Sequence, residues 1–166
     1  MADRCSASIV IGGTLAARHI PDLLAVIADE DVRAEFDGAA FRPCDLVSGQ
    51  ALILYAHEVA WGTFRLLEAF CQEHGLAYSR WSDACIGVWG CSRSIYRGNQ
   101  TGEGQGVIDD YDVSADNQIL ITETTARALG SYAAILKYFT TANFAVPPLI
   151  FSPEVSAQSP STAIQA

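Results

Sequence analysis

Two amphipathic helix patterns, each set between short apolar strands, constrain this chain more than any other feature. SASIVIGG (6–13) alternates, is rich in β-branched residues and stops at a glycine pair, which predicts a strand. Pro21 suits the first turn of a helix through PDLLAVIADE. Leu23, Leu24, Ile27 and Ala28 share one face of it, and Asp22 favours the positive end of its dipole. VRAEF (32–36) reads as a short strand stopped by Asp37-Gly38, and 38–50, with Gly38, Pro43 and Gly49, as a loop. ALILYA (51–56) is nearly all apolar and predicts a central strand. Thr63 as N-cap and Gly75 as C′ residue frame a helix, FRLLEAFCQEH, and LAYSRWS (76–82) returns as a strand. The class is α+β. The order β-α-β-β-α-β over 6–83 is the ferredoxin-like pattern, with two helices on one face of an antiparallel sheet.

The second half is expected to extend that unit within one domain spanning 1–166. GVWGCSRSIYRG (87–98) reads as a strand or hairpin arm, GNQTGEGQG (98–106) as a flexible tip, and GVIDDYDV and NQILITE as two further strands. Thr124 or Thr125 is expected to cap a third helix, ARALGSYAAILKYF, with Leu129, Tyr132, Ala133, Leu136 and Phe139 along one stripe. NFAVPPLIFS then forms an extended apolar strap within 84–150 and its margin. The Ser/Pro/Ala-rich tail of 151–166 reads as disordered over its last dozen residues.

Charge narrows the function classes. The 166 residues carry 19 acids against 10 bases, a formal net charge of −9, and Lys137 is the only lysine. Phosphate neutralisation needs clustered Lys and Arg, so direct nucleic-acid binding is not expected, and neither are anionic membranes as partners. No apolar run approaches the roughly 18 residues of a membrane span. MADRCSAS has no apolar signal core, and five cysteines at irregular spacing read as free thiols, so the expected compartment is the cytoplasm.

Motifs for chemistry fail one by one. His57-Glu58-Val59-Ala60-Trp61 begins like H-E-x-x-H, but Trp61 stands where the second zinc-binding imidazole must be. Cys71 and His74 share a helix stripe and read as a core thiol and a helix-end histidine. Cys71, Cys85 and Cys91 lack the base or helix N-terminus that makes a thiolate nucleophile. The glycines of 98–106 precede no Gly-Lys-Ser/Thr. Asp110, Asp112, Ser114 and Asp116 mimic a calcium loop whose turn glycine is replaced by Ala115 and whose bidentate glutamate is replaced by Ile121. No metal and no cofactor is expected.

What survives is the distribution of acids. From Gly98 to Ala126 stand Glu103, Asp109, Asp110, Asp112, Asp116 and Glu123 with no Lys or Arg. Asp29, Glu30 and Asp31 open a second cluster. Such carboxylates are an ordinary soluble surface, or a row that imitates phosphates, because arginine engages both with the same fork.

The run Glu58 … Gly62-x-Phe64 … Leu67-Glu68-x-Phe70-Cys71 … His74-Gly75-Leu76-x-Tyr78-x-Arg80-x-Ser82-Asp83 resembles small proteins of unknown function encoded on phages, plasmids and other mobile elements. The resemblance implies an accessory or anti-defence role, such as inhibition of a CRISPR complex or another nuclease, and carries over no catalytic residue.

Three readings follow. The first is a non-enzymatic acidic protein covering a basic, nucleic-acid-binding surface of a partner, with contacts at 103–123 and at Asp29, Glu30 and Asp31. The second is a small enzyme or ligand binder with a pocket of His57, Glu58, Arg80 and Asp83, in which Glu58 or Asp83 pairs with Arg80 or serves as an acid–base couple. The third is a homo-oligomer docking through Trp61, Trp81 or Trp89.

Overall fold

β1 (Arg4–Ala16) organises the sheet because its small and β-branched residues alternate over thirteen positions. Ala7, Ile9, Ile11 and Leu15 are buried, while Ser6, Ser8 and Val10 face the other way, half-buried. The computed structural model describes residues 3–98 and 106–153. β1 is flanked on one side by β2 (Leu52–Ala60) and on the other by β3 (Ala77–Ser82), antiparallel to both. β4 (Ser92–Tyr96) and β5 (Ile108–Asp112) extend the sheet beyond β3, in the order β2-β1-β3-β4-β5. The apolar strap supplies β6 (Leu149–Ser152), which lies parallel to the end of β1 from Gly13 to Ala16. Gly12 makes that approach feasible: a Cβ there would sit 1.7 Å from the Pro147 carbonyl oxygen.

α1 (Ile20–Asp29) and α2 (Arg65–His74) cover one face. Leu23 and Ile27 of the first and Leu67, Phe70 and Cys71 of the second are buried against Ala7, Ile9, Ile11, Leu54 and Tyr78. Directly opposed residues share a face, and Ser79 stands opposite Ile95, one step out of phase with Tyr78 and Tyr96. Ile95 therefore points to the other face, where a second core forms from Ile95, Tyr111 and Ala142 with Tyr138 and Phe144 packed on it. Its cover is α4 (Tyr132–Ala142), which follows α3 (Glu123–Leu129). No helix among the described residues is long and apolar enough to cross a membrane.

The architecture is thus α+β with a mostly antiparallel six-stranded sheet and helices on both faces. Several expected elements differ. VRAEF forms no strand: only Arg33 pairs, through its N–H and C=O with those of Tyr55, because Phe36 turns to stack on Tyr55 and His57. NQILITE likewise reduces to a bridge between Val113 and Ile119. The expected third helix is two. α3 starts earlier than 126, capped by Thr122 rather than Thr124 or Thr125, and ends at Gly130 in a left-handed conformation. Ser131 then caps α4 through the Ala134 N–H. Phe64, not Thr63, occupies the N-cap of α2. The tip expected at 98–106 lies almost wholly outside the described residues, as does the tail from 154.

Candidate functional site

The site begins with a phase slip in β2. Ala56 stands opposite Ala7 and Val59 opposite Cys5, so His57 and Glu58 together face the single residue Ser6. This one-residue bulge places Glu58 at φ 56 and turns two consecutive polar side chains outward. The chain leaves β2 through Trp61 (φ 57) and Gly62 (φ 62). Gly62 is required there, since a Cβ would lie 2.6 Å from that of Ser82. The Trp61 N–H donates to the Asp3 carbonyl at 2.8 Å, and Arg80 Nη1 donates to that of Gly62 at 2.8 Å.

The end of α1 meets this turn. Glu30 Oε1 accepts from the Leu66 N–H at 2.6 Å, placing a carboxylate on the positive first turn of α2. Asp31 then takes a left-handed conformation, φ 50. Between these segments lies a cleft of about 840 Å³, bordered by the carboxylates of Asp29, Glu30, Asp31 and Glu58 against the cations Arg4 and Arg65, with His57 and Trp61 also in its wall. Among the described residues, three of the four non-glycine positions with positive φ, namely Asp31, Glu58 and Trp61, border this cleft. Such conformations cost about 1–3 kcal/mol each and collect where a site is shaped.

An apolar knuckle stands beside it. Residues Cys85 to Trp89 form a tight hairpin, closed by Cys85 N–H to Trp89 O at 3.0 Å and Val88 N–H to Cys85 O at 2.9 Å. Trp89 Nε1 anchors it on the Asp83 carbonyl at 3.3 Å, and its ring packs on Trp61 with centroids 5.7 Å apart. The tip carries Ile86, 98% exposed, and Val88, 56% exposed; Trp61 is 59% exposed.

The expected residues distribute unevenly. Asp29, Glu30, Asp31, His57 and Glu58, assigned in sequence to separate sites, converge on the one cleft. Arg80 and Asp83 are not in its wall. Arg80 pairs with neither Glu58 nor Asp83: its Nε lies 2.9 Å from Glu68 Oε1, both side chains being buried. Glu68 also accepts from the Phe64 N–H at 3.1 Å and the Tyr78 hydroxyl at 3.2 Å. Burial raises the Glu68 carboxyl above its ordinary value, and the Arg80 charge opposes that shift. Asp83 accepts from the Ala84 N–H at 2.7 Å and from the Cys91 thiol. The Cys5 and Cys91 thiols are both pushed up, by burial first and Asp83 second, the reverse of what a thiolate nucleophile needs.

His57 lies in a line that sequence did not suggest, with Ser6 Oγ 3.0 Å from Nδ1 and Asp37 Oδ1 3.5 Å from Nε2. The order hydroxyl–imidazole–carboxylate is that of a nucleophilic triad. Asp37 is 98% exposed, however, so water competes for the contact that would hold the ring.

The acids of 103–123 do not form one row. Alternation sends Asp110 and Asp112 to one face of β5 and Asp109 to the other. Asp109 pairs with Arg97 and Glu123 with Arg127 at 2.7 Å, the two arginines that flank the basic-free segment. Asp110 accepts from the Ser94 hydroxyl, Asp116 is exposed in the turn after β5, and Glu103 lies outside the described residues. Among the described residues, no cluster of three or more His, Cys, Asp or Glu is arranged to hold a metal ion. Protein-family models, curated proteins and solved structures yield no match to this chain.

Proposed function

We propose that the protein is a non-enzymatic binding protein that docks on a basic, nucleic-acid-binding surface of a partner through the bulged end of its sheet. The observation that carries this reading is the knuckle. Ile86 and Val88 are held out to solvent on a hydrogen-bonded hairpin, where they add nothing to the core. With Trp61 and Trp89 they form an apolar centre, and the carboxylates of Asp29, Asp31 and Glu58 form a charged border. Protein interfaces are commonly built from an apolar, aromatic centre within a polar rim. Carboxylates steer the encounter toward a basic partner and occupy guanidinium sites that otherwise hold phosphates. Glu30 is committed to α2, so it contributes field rather than contact. The acids of 103–123 are secondary in this reading, since Asp109 of β5 and Glu123 of α3 are already paired.

The resemblance to mobile-element proteins supports an anti-defence target, a CRISPR effector or another nuclease whose groove the protein covers. Five unpaired thiols support a cytoplasmic setting. A ferredoxin-like reading of the first half also fits, with Arg33 as what remains of the second strand beside β2.

The test is retention of the tagged chain on a nucleic-acid-binding host complex at low and high salt, with loss of that complex's nucleic-acid binding as the readout. Ile86→Asp is expected to abolish retention, and Asp31→Lys with Glu58→Lys to weaken it most at low salt. Retention unchanged in both variants refutes the assigned surface. An assembly of this chain alone, disrupted by Ile86→Asp, would instead make the knuckle a self-association contact.

A further inference from the structure

β5 is the last strand of its sheet, and among the described residues no further strand lies along its outer edge where the acids stand. The Val113 N–H donates to the Cys91 carbonyl at 3.2 Å, which sets the phase of the ladder. Asp109, Tyr111 and Val113 turn their backbone groups toward β4, while Ile108, Asp110 and Asp112 turn theirs outward. The outward carbonyl of Asp112 is taken by the Leu120 N–H at 2.8 Å, after which the chain leaves the edge for α3. Among the described residues, the outward groups of Ile108 and Asp110 meet no strand. Alongside them runs a groove of about 470 Å³ between β5 and the helices, with Ile108, Leu129, Ala134 and Tyr138 in the apolar part of its wall and Asp109, Lys137 and Thr141 in the polar part.

We infer that this edge takes up an extended segment of a partner protein as an added strand, its residues alternating apolar and basic. The alternation follows from the pleat. A residue set opposite Asp110 shares the face of the Asp110 and Asp112 carboxylates, where Lys or Arg forms the favourable cross-strand pair. Its neighbours point to the opposite face, toward the apolar wall of Leu129, Ala134 and Tyr138. Asp110 accepts from the Ser94 hydroxyl and is still exposed to a partner. The same charges disfavour a second copy of this chain, because two β5 edges paired about Asp110 set like charges directly opposite. This surface is separate from the knuckle and is tested without it.

The probe is a short blocked peptide of alternating Arg and Val, compared with a scrambled peptide of the same composition, added to the full chain at low salt. The alternating peptide is expected to bind and to slow amide exchange at Ile108 and Asp110. The scrambled peptide should bind less and protect neither. Asp110→Asn and Asp112→Asn should each weaken binding by roughly two- to fivefold, the size of one cross-strand charge pair. Ala134→Arg should fill the groove and remove binding. Equal binding of both peptides, or binding without protection at Ile108 and Asp110, overturns the inference. So does self-association that protects those amides without peptide. The wild-type exchange result decides the matter even if a variant fails to fold.

Discussion

Glu58 is the position at which strain can be separated from contact. Its left-handed backbone, φ 56, places the Cβ against the following carbonyl, which costs an L-residue about 1–2 kcal/mol. Its side chain is exposed and has no hydrogen bond or ion pair among the described residues; only its carbonyl is used, by Arg4 Nη1. Glu58→Gly therefore relieves the strain and removes no stabilising contact. Glycine also loosens the unfolded chain, which returns about 0.4–1 kcal/mol. The net expectation is a gain of about 0.5–1 kcal/mol, or roughly 1–4 °C in Tm for a chain of this size. Glu58→Ala keeps the Cβ and is the control, expected to gain nothing. The assay is urea unfolding followed by circular dichroism, with the slope unchanged so that the midpoint reports stability alone. Both variants remove a carboxylate from the cleft border, so both should bind the partner more weakly while only one becomes more stable. If Glu58→Gly is no more stable than Glu58→Ala, the backbone at 58 is unstrained and the bulge is not held against strain for the sake of the site.

Other expectations follow from single contacts. Gly62→Ala should lose about 2–4 kcal/mol in the same assay, combining left-handed strain with overpacking against Ser82 and Cys5; a loss under about 1 kcal/mol would mean the sheet end yields. Arg93 donates to the Ala142 carbonyl and to Asn117 Oδ1, both at 2.9 Å, so Arg93→Lys should cost about 1–3 kcal/mol and speed amide exchange at Asn117 and Asn143. Unchanged exchange would show that this fork does not tie α4 to β4. Glu68 holds its proton more tightly folded than unfolded, so its contribution to stability is full below the ordinary carboxylate range and is lost as pH rises through its raised folded value. The stability difference between wild type and Glu68→Gln, measured by urea unfolding from acidic to neutral pH, should thus move against wild type as pH rises; movement in its favour would mean the Arg80 attraction outweighs burial.

Much of the fold was legible because β1, β2 and β3 combine the right residue types with the right period. The strand expected at 32–36 failed for a tertiary reason: Phe36 finds ring partners in Tyr55 and His57, which pulls the segment off the sheet edge after Arg33. The break between α3 and α4 was written locally, as Gly130 followed by Ser131, yet the apolar stripe ran on through it. The site was legible only in pieces. Asp29–Asp31 and His57–Glu58 read as two separate features, and what joins them is the Glu30 contact to Leu66, 36 residues away in sequence. The acidic row looked continuous because its neutralising partners, Arg97 and Arg127, lie just beyond its two ends.

The bulge itself has a local signature. Ala56 and Val59 are both buried in the first core, yet three positions apart they cannot share a face of a regular strand. The run apolar–polar–polar–apolar is resolved only by one extra residue. Folding has little use for it, since a strand lacking Glu58 would still set Val59 opposite Cys5 and would restore strict alternation. What the extra residue does is swing His57 and Glu58 to the cleft where Asp31 and Trp61 also take left-handed conformations. A chain with Glu58 deleted that keeps its unfolding midpoint and loses retention on its partner would show that the slip serves binding. Collapse of the fold on the same deletion would show instead that Trp61 and Gly62 depend on the bulge for their register.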